Sequence, residues 1–190
     1  MTTTRRARTT GVATALLVAA AMLSGCGGKD AAADPPTASA DASSTSDPSM
    51  SASASPASGP LLDSDVVSLH APSGWKVTEG GGHVLAEDET ALSVIQLDVI
   101  DNYGQEFTLQ QLARQDLQAA AVQSPKVEEP VTVAAQAAYH VTGMADSTRH
   151  YEGFGFRLGD RSIYVGFTLA GSPTHRQQVV DSVLATVVLK

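Results

Sequence analysis

Ser162-Ile163-Tyr164-Val165-Gly166-Phe167-Thr168-Leu169-Ala170-Gly171-Ser172-Pro173 holds one clean alternation followed by one clean helix opening. Ile163, Val165, Phe167 and Leu169 fall on one side and Ser162, Tyr164, Gly166 and Thr168 on the other, the period of two of a strand with one apolar face. Ser172 offers a capping hydroxyl and Pro173 sits where the first helical residue needs no N–H. A helix should follow, with Val179, Val180, Val183 and Leu184 as its apolar stripe, and Thr186 to Leu189 is β-branched enough for a short terminal strand.

Upstream, strands are expected near Val127 to Val133, Ala137 to Met144 and His150 to Leu158, a meander leading into the strand above. Before them, Thr108 and Gln111 form a Thr-x-x-Gln capping box. Leu109, Leu112, Ala113, Leu117, Ala120 and Ala121 then recur at helical spacing, leaving Gln110, Gln111, Arg114, Gln115 and Gln118 outward, and Ser124-Pro125 is expected to end the helix. Earlier still come a long strand from Ala91 to Asp101 and a shorter one from His83 to Glu87 after the Gly80-Gly81-Gly82 reversal. Val66 to His70 and Trp75 to Thr78 read as a hairpin joined through Pro72-Ser73-Gly74. This order predicts an α+β domain over residues 61–190, an antiparallel sheet with two main helices packed on it.

The first sixty residues cannot belong to that domain. All nine aromatic residues lie between Trp75 and Phe167, so the amino end has little from which to build a core. Arg5, Arg6 and Arg8 precede a thirteen-residue apolar run from Gly11 to Leu23, shorter than the roughly 20 residues of a membrane-spanning helix. That is the layout of a secretory signal peptide over residues 1–25. Leu23-Ser24-Gly25-Cys26 is similar to the lipobox of bacterial lipoproteins, with small residues that admit an extended backbone to a narrow peptidase site. Cys26, the single cysteine, supplies the sulfur for a thioether-linked diacylglycerol. Losing residues 1–25 leaves nine basic against twenty acidic residues, a net of −11, so lipid rather than charge must hold the chain at an anionic membrane. Residues 26–60, mostly Ser, Ala, Pro, Asp, Gly and Thr, read as a disordered tether. Its root-mean-square span is roughly 30 Å and its stretched limit about 110 Å. The expected location is the outer face of the cell membrane.

The catalytic inventory is thin. A net charge of −8 for the whole chain and a pI near 4.9 exclude a nucleic-acid footprint. One cysteine excludes an intramolecular disulfide framework. His70, His83, His140, His150 and His175 show no metal-ligand spacing, although His140 and His150 lie on successive strands. Asp98 and Asp101 differ in parity and so point to opposite faces, and no Gly-x-Ser-x-Gly elbow or phosphate-cradling glycine loop is present. No catalytic residue, metal or cofactor is implied. One departure stands out: Gly143, Gly153, Gly155 and Gly166 interrupt three consecutive strands, where glycine marks close approach by another body. Either a helix packs on them, or Gly153-Phe154-Gly155 marks a bulge, or they floor a shallow groove walled by Tyr151, Tyr164 and Tyr139 that suits an acyl chain or a peptide.

Ala71-Pro72-Ser73-Gly74-Trp75, the Thr108-capped helix and the terminal Val/Leu helix resemble the PsbP-like α/β/α sandwich superfamily, over most of residues 61–190. With the lipobox and tether, the chain looks like the actinobacterial LpqN/LpqT lipoproteins. The resemblance implies a non-catalytic binding or assembly module of the cell envelope, associated in mycobacteria with mycolate-lipid export. It carries no catalytic signature to these residues. The expected function is thus a lipid-anchored domain that binds an envelope protein or a lipid-like ligand. The alternative is an extracytoplasmic hydrolase or metal-dependent enzyme with a site assembled from distant residues. A purely structural spacer would show no concave site.

Overall fold

A computed structural model describes residues 54–80 and 82–190. The signal peptide expected at 1–25, including Leu23, Ser24 and Gly25, lies outside the described residues, as do Cys26, the rest of the expected tether up to residue 53, and Gly81.

The chain runs β1 (Leu61–Asp63), β2 (Val67–His70), β3 (Lys76–Gly80), β4 (His83–Glu87), β5 (Val94–Asp101) and α1 (Leu109–Ala120). It continues through β6 (Gln123–Val127), β7 (Val131–Val133), β8 (Gln136–Met144), β9 (His150–Leu158), β10 (Arg161–Leu169), α2 (Pro173–Leu184) and β11 (Val188–Leu189). The large antiparallel sheet has the order β3-β4-β5-β10-β9-β8-β6, with β7 also paired to β8, and a small sheet has the order β1-β2-β11. The fold is α+β.

Strand β10 sits at the centre of the large sheet, between β5 and β9. Val165 lies opposite Leu97 on β5 and Phe154 on β9. Ile163, Val165, Phe167 and Leu169 are all buried, in one cluster with Leu62 and Leu69 of the small sheet and Val179, Val180 and Val183 of α2. Each such side chain contributes about 1.5–3 kcal/mol of burial. Phe154 meets Phe167 edge-on at 5.9 Å. Both helix openings form as the sequence predicts. Thr108 Oγ1 accepts from the Gln111 N–H (3.2 Å) while Gln111 Oε1 accepts from the Thr108 N–H (2.8 Å). Ser172 caps α2 by accepting from the His175 N–H, with proline in the first turn.

Five local expectations are corrected. Val66 to His70 and Trp75 to Thr78 do not form a hairpin. Strand β2 pairs with β1 and β11, β3 pairs with β4, and Ala71 to Trp75 carries the chain from one sheet to the other. Helix α1 stops before Ser124-Pro125, because Ala121 takes a left-handed conformation (φ 50°) and the chain enters edge strand β6, whose register shifts between Gln123 and Lys126 around that proline. The strand expected over Val127 to Val133 is two strands parted at Glu128-Glu129-Pro130. The long strand begins at Val94, since Asp88 Oδ1 accepts from the Thr90 and Leu92 N–H groups and ties residues 88–92 into a turn. Finally, residues 57–60 are attached to the domain. The Ala57 N–H donates to Ser182 O (2.9 Å) and the Gly59 N–H to Ala71 O (2.8 Å).

Candidate functional site

The two faces of the large sheet are unequal. One is covered by α2 and the small sheet. On the other, α1 lies over β8 and β9, where Leu112 and Ala113 bury against Tyr139, Val141 and Tyr151. Helix α1 packs against β8 and β9, so β5 and β10 remain beside it rather than beneath it. The result is a cavity of about 400 Å³. Strand β5 lines it with Val94, Gln96, Asp98 and Ile100, and β10 with Tyr164, Gly166 and Thr168. Helix α1 contributes Gln115, Asp116, Ala119 and Ala120, and Tyr151 and Ala145 close one end.

Asp116 is the polar centre of that wall. Tyr139 Oη donates to its Oδ2 at 2.9 Å and Tyr151 Oη to its Oδ1 at 2.5 Å. Burial pushes the Asp116 carboxyl above the usual range. The two phenols act against this, Tyr151 more than Tyr139, and the nearby charge of Asp98 adds to the rise. Asp98 is also raised, again chiefly by burial, against the Gln96 amide that donates to it at 2.7 Å and the field of His83. Tyr139 and Tyr151 are held neutral, pushed far up by burial and by Asp116. Tyr164, half-buried, is raised by burial too, and its ring stands 6.4 Å from that of Tyr139. These groups can accept hydrogen bonds, present a ring face and attract positive charge.

The glycines predicted to floor a groove divide into two sets. A Cβ at Gly143 would lie 2.7 Å from Val122 Cγ2, and one at Gly155 would lie 2.5 Å from Tyr139 Cε1. A Cβ at Gly153 would collide with Asp116 Oδ2. Helix α1 and its flank therefore cover Gly143 and Gly153, and the Tyr139 ring of β8 covers Gly155, so the open strip is corrected to a seat for Asp116, Tyr139 and Val122. Gly166, Tyr151 and Tyr164 do line the cavity, whose floor is β5 and β10 rather than β8 and β9. Asp98, Gln96 and Asp116 went unassigned by the sequence. The available signal was Asp116 itself, an acid four residues after Leu112 and three after Ala113, on the apolar side of an amphipathic helix.

His140 and His150 do not form a pair. His140 lies opposite Phe154, stacked on its ring at 4.6 Å, and its Nε2 meets Glu152 Oε1 at 2.8 Å. His150 lies opposite Met144. All are on the sheet face away from the cavity. Among the described residues no group of three or more His, Cys, Asp or Glu is placed to hold a metal ion.

No protein-family model and no curated protein matches the sequence. Among solved structures, the chain is similar to a protein from Bacteroides thetaiotaomicron VPI-5482, with a TM-score of 0.42 and 18% identity, covering 65% of this chain and 45% of that one. This chain thus spans less than half of that protein's length. It is also similar to the cyanobacterial PsbP protein CyanoP from Synechocystis sp. PCC 6803, with a TM-score of 0.48 and 13% identity, covering 65% of this chain and 86% of that one. Both likenesses are of backbone arrangement, at identities too low to carry any residue's role across.

Proposed function

We propose that the chain is a non-catalytic binding domain of the cell envelope. In this proposal a diacylglycerol on Cys26 holds it at the outer face of the membrane, and it receives an envelope ligand or partner in the cavity between α1 and strands β5 and β10. The observation that carries the proposal is the cavity itself, a concave site of about 400 Å³ in the range of small-molecule sites. A spacer would have no use for it. The lipobox at Leu23 to Cys26 and the resemblance to the LpqN/LpqT lipoproteins support an anchored role in envelope lipid export or assembly. Mass spectrometry of material co-purified from native membranes should find one ligand or partner that Tyr164→Ala diminishes. Recovery of the same material with both proteins overturns the cavity as the site. A Cys26→Ser protein should leave the sedimented vesicles, and its retention there overturns the anchor.

A hydrolytic reading draws on two carboxylates facing one cavity. An acid–base pair works when the environments push the two pKa values apart, whereas burial raises both Asp98 and Asp116. Asp116 is moreover occupied by two phenols. Turnover of glycosides abolished by Asp98→Asn would nevertheless establish the enzyme.

A further inference from the structure

Six carboxylates elsewhere in the domain meet cations. Asp65 and Asp101 pair with Arg161, Asp63 with Lys190, Glu128 with Lys126, Asp146 with Arg149 and Glu152 with His140. The two in the cavity do not. Asp116 is met by two neutral phenols and Asp98 by a neutral amide, and the cavity lining holds no Lys, Arg or His among the described residues. The base whose field reaches Asp98 is His83, directly opposite it on β4 and outside that lining. Two carboxylates that share a concave site with no cation in its lining favour a ligand that brings one. Tyr164 adds a half-buried ring, whose face attracts cations, while Ile100, Ala119 and Ala120 add apolar surface.

We infer that the cavity binds a small diffusible organic ammonium ion, its head near Asp98 and Asp116 and its carbon skeleton against Tyr164 and Ile100. The inference rests on the binding role proposed above and names its ligand class. The cavity's size favours a free amine over a macromolecule. Its charge disfavours fatty acids and phosphate headgroups, which would place an anion beside two carboxylates.

The test uses three compounds of similar shape and different charge: cyclohexylamine, cyclohexanol and cyclohexanecarboxylate. Each is titrated into the full-length protein in a neutral detergent at pH 7, following the backbone amide resonances of Ala119, Ala120 and Gly166. Cyclohexylamine should bind at least tenfold more tightly than cyclohexanol, and the carboxylate should bind least. Asp98→Asn, a change at a partly exposed strand position, should remove most of that preference. Equal affinity for amine and alcohol overturns the ammonium inference but leaves the cavity a binding site. Calcium shifting these resonances in place of the amine overturns it in favour of a metal ion. No shift with any compound overturns both the inference and the cavity as the site of the proposed function.

Discussion

Gly155→Ala tests whether the middle of β9 is glycine because a tyrosine ring lies on it. An added Cβ would sit 2.5 Å from Tyr139 Cε1 and 2.6 Å from Cζ and Oη, well inside contact distance. Tyr139 cannot retreat easily, since it is 2% exposed and its hydroxyl is tied to Asp116. Overpacking of this kind costs about 1–3 kcal/mol. Displacing the ring also strains or breaks a hydrogen bond to a carboxylate, worth about 1.5–3 kcal/mol. Loss of glycine's freedom in the unfolded chain returns about 0.4–1 kcal/mol. The net expectation is a destabilisation of about 3 kcal/mol, or roughly 10 °C in Tm for a domain of this size. Urea unfolding followed by circular dichroism would measure it. Gly80→Ala, where an added Cβ meets nothing within 4 Å, is the control and should stay within about 0.5 kcal/mol of the parent. If Gly155→Ala behaves like that control, Tyr139 is not seated on β9 and the wall holding Asp116 is wrongly described.

Thr108→Ala removes the hydroxyl that accepts from the Gln111 N–H while keeping the backbone N–H that donates to Gln111 Oε1, and should cost about 1 kcal/mol, measurable as a lower urea midpoint with an unchanged slope. Ala134 and Ala135 form the two-residue β7–β8 turn with φ of 47° and 64°, which side chains resist. Replacing them together by Asn and Gly should stabilise the protein by about 1 kcal/mol in the same assay. The third expectation concerns pH. Because the Asp116 pKa is raised on folding, its contribution to stability is complete below the unfolded value of about 3.8 and is lost as pH rises through the native value. Asp116→Asn abolishes that decline, so variant minus parent stability should be more favourable at pH 7 than at pH 4. An equal difference at the two pH values would show that the carboxyl is not desolvated.

The elements with periodic apolar residues and ordinary caps were legible in the sequence. Strand β10 and both helix openings are where the alternation, Thr108 and Ser172 place them, because each signal is local and the tertiary structure agrees with it. Turns made without the usual residues were not legible. Ala134-Ala135 carries no Asn or Gly, and Ala121 ends α1 in a conformation normally left to glycine. Proline and glycine misled in the other direction. Pro72-Ser73-Gly74 looks like a hairpin turn and instead links two sheets, a choice made by which neighbours β2 and β3 find rather than by the link. The cavity was legible only in pieces. Tyr151, Tyr164 and Gly166 were found from the glycine pattern, but the pairing of Asp98 with a helical Asp116 depends on how far α1 reaches across the sheet.

The amino-terminal attachment has a mechanical meaning. Residues 57–60 dock on α2 and the β2–β3 link, and β1 is zipped to β2 over three residue pairs. Tension arriving from upstream is therefore spent first in peeling that short ladder, leaving the long strands β5, β9 and β10 unloaded. The hollow beside α1 opens on the reverse side of the large sheet from α2, so that load path does not run through its walls.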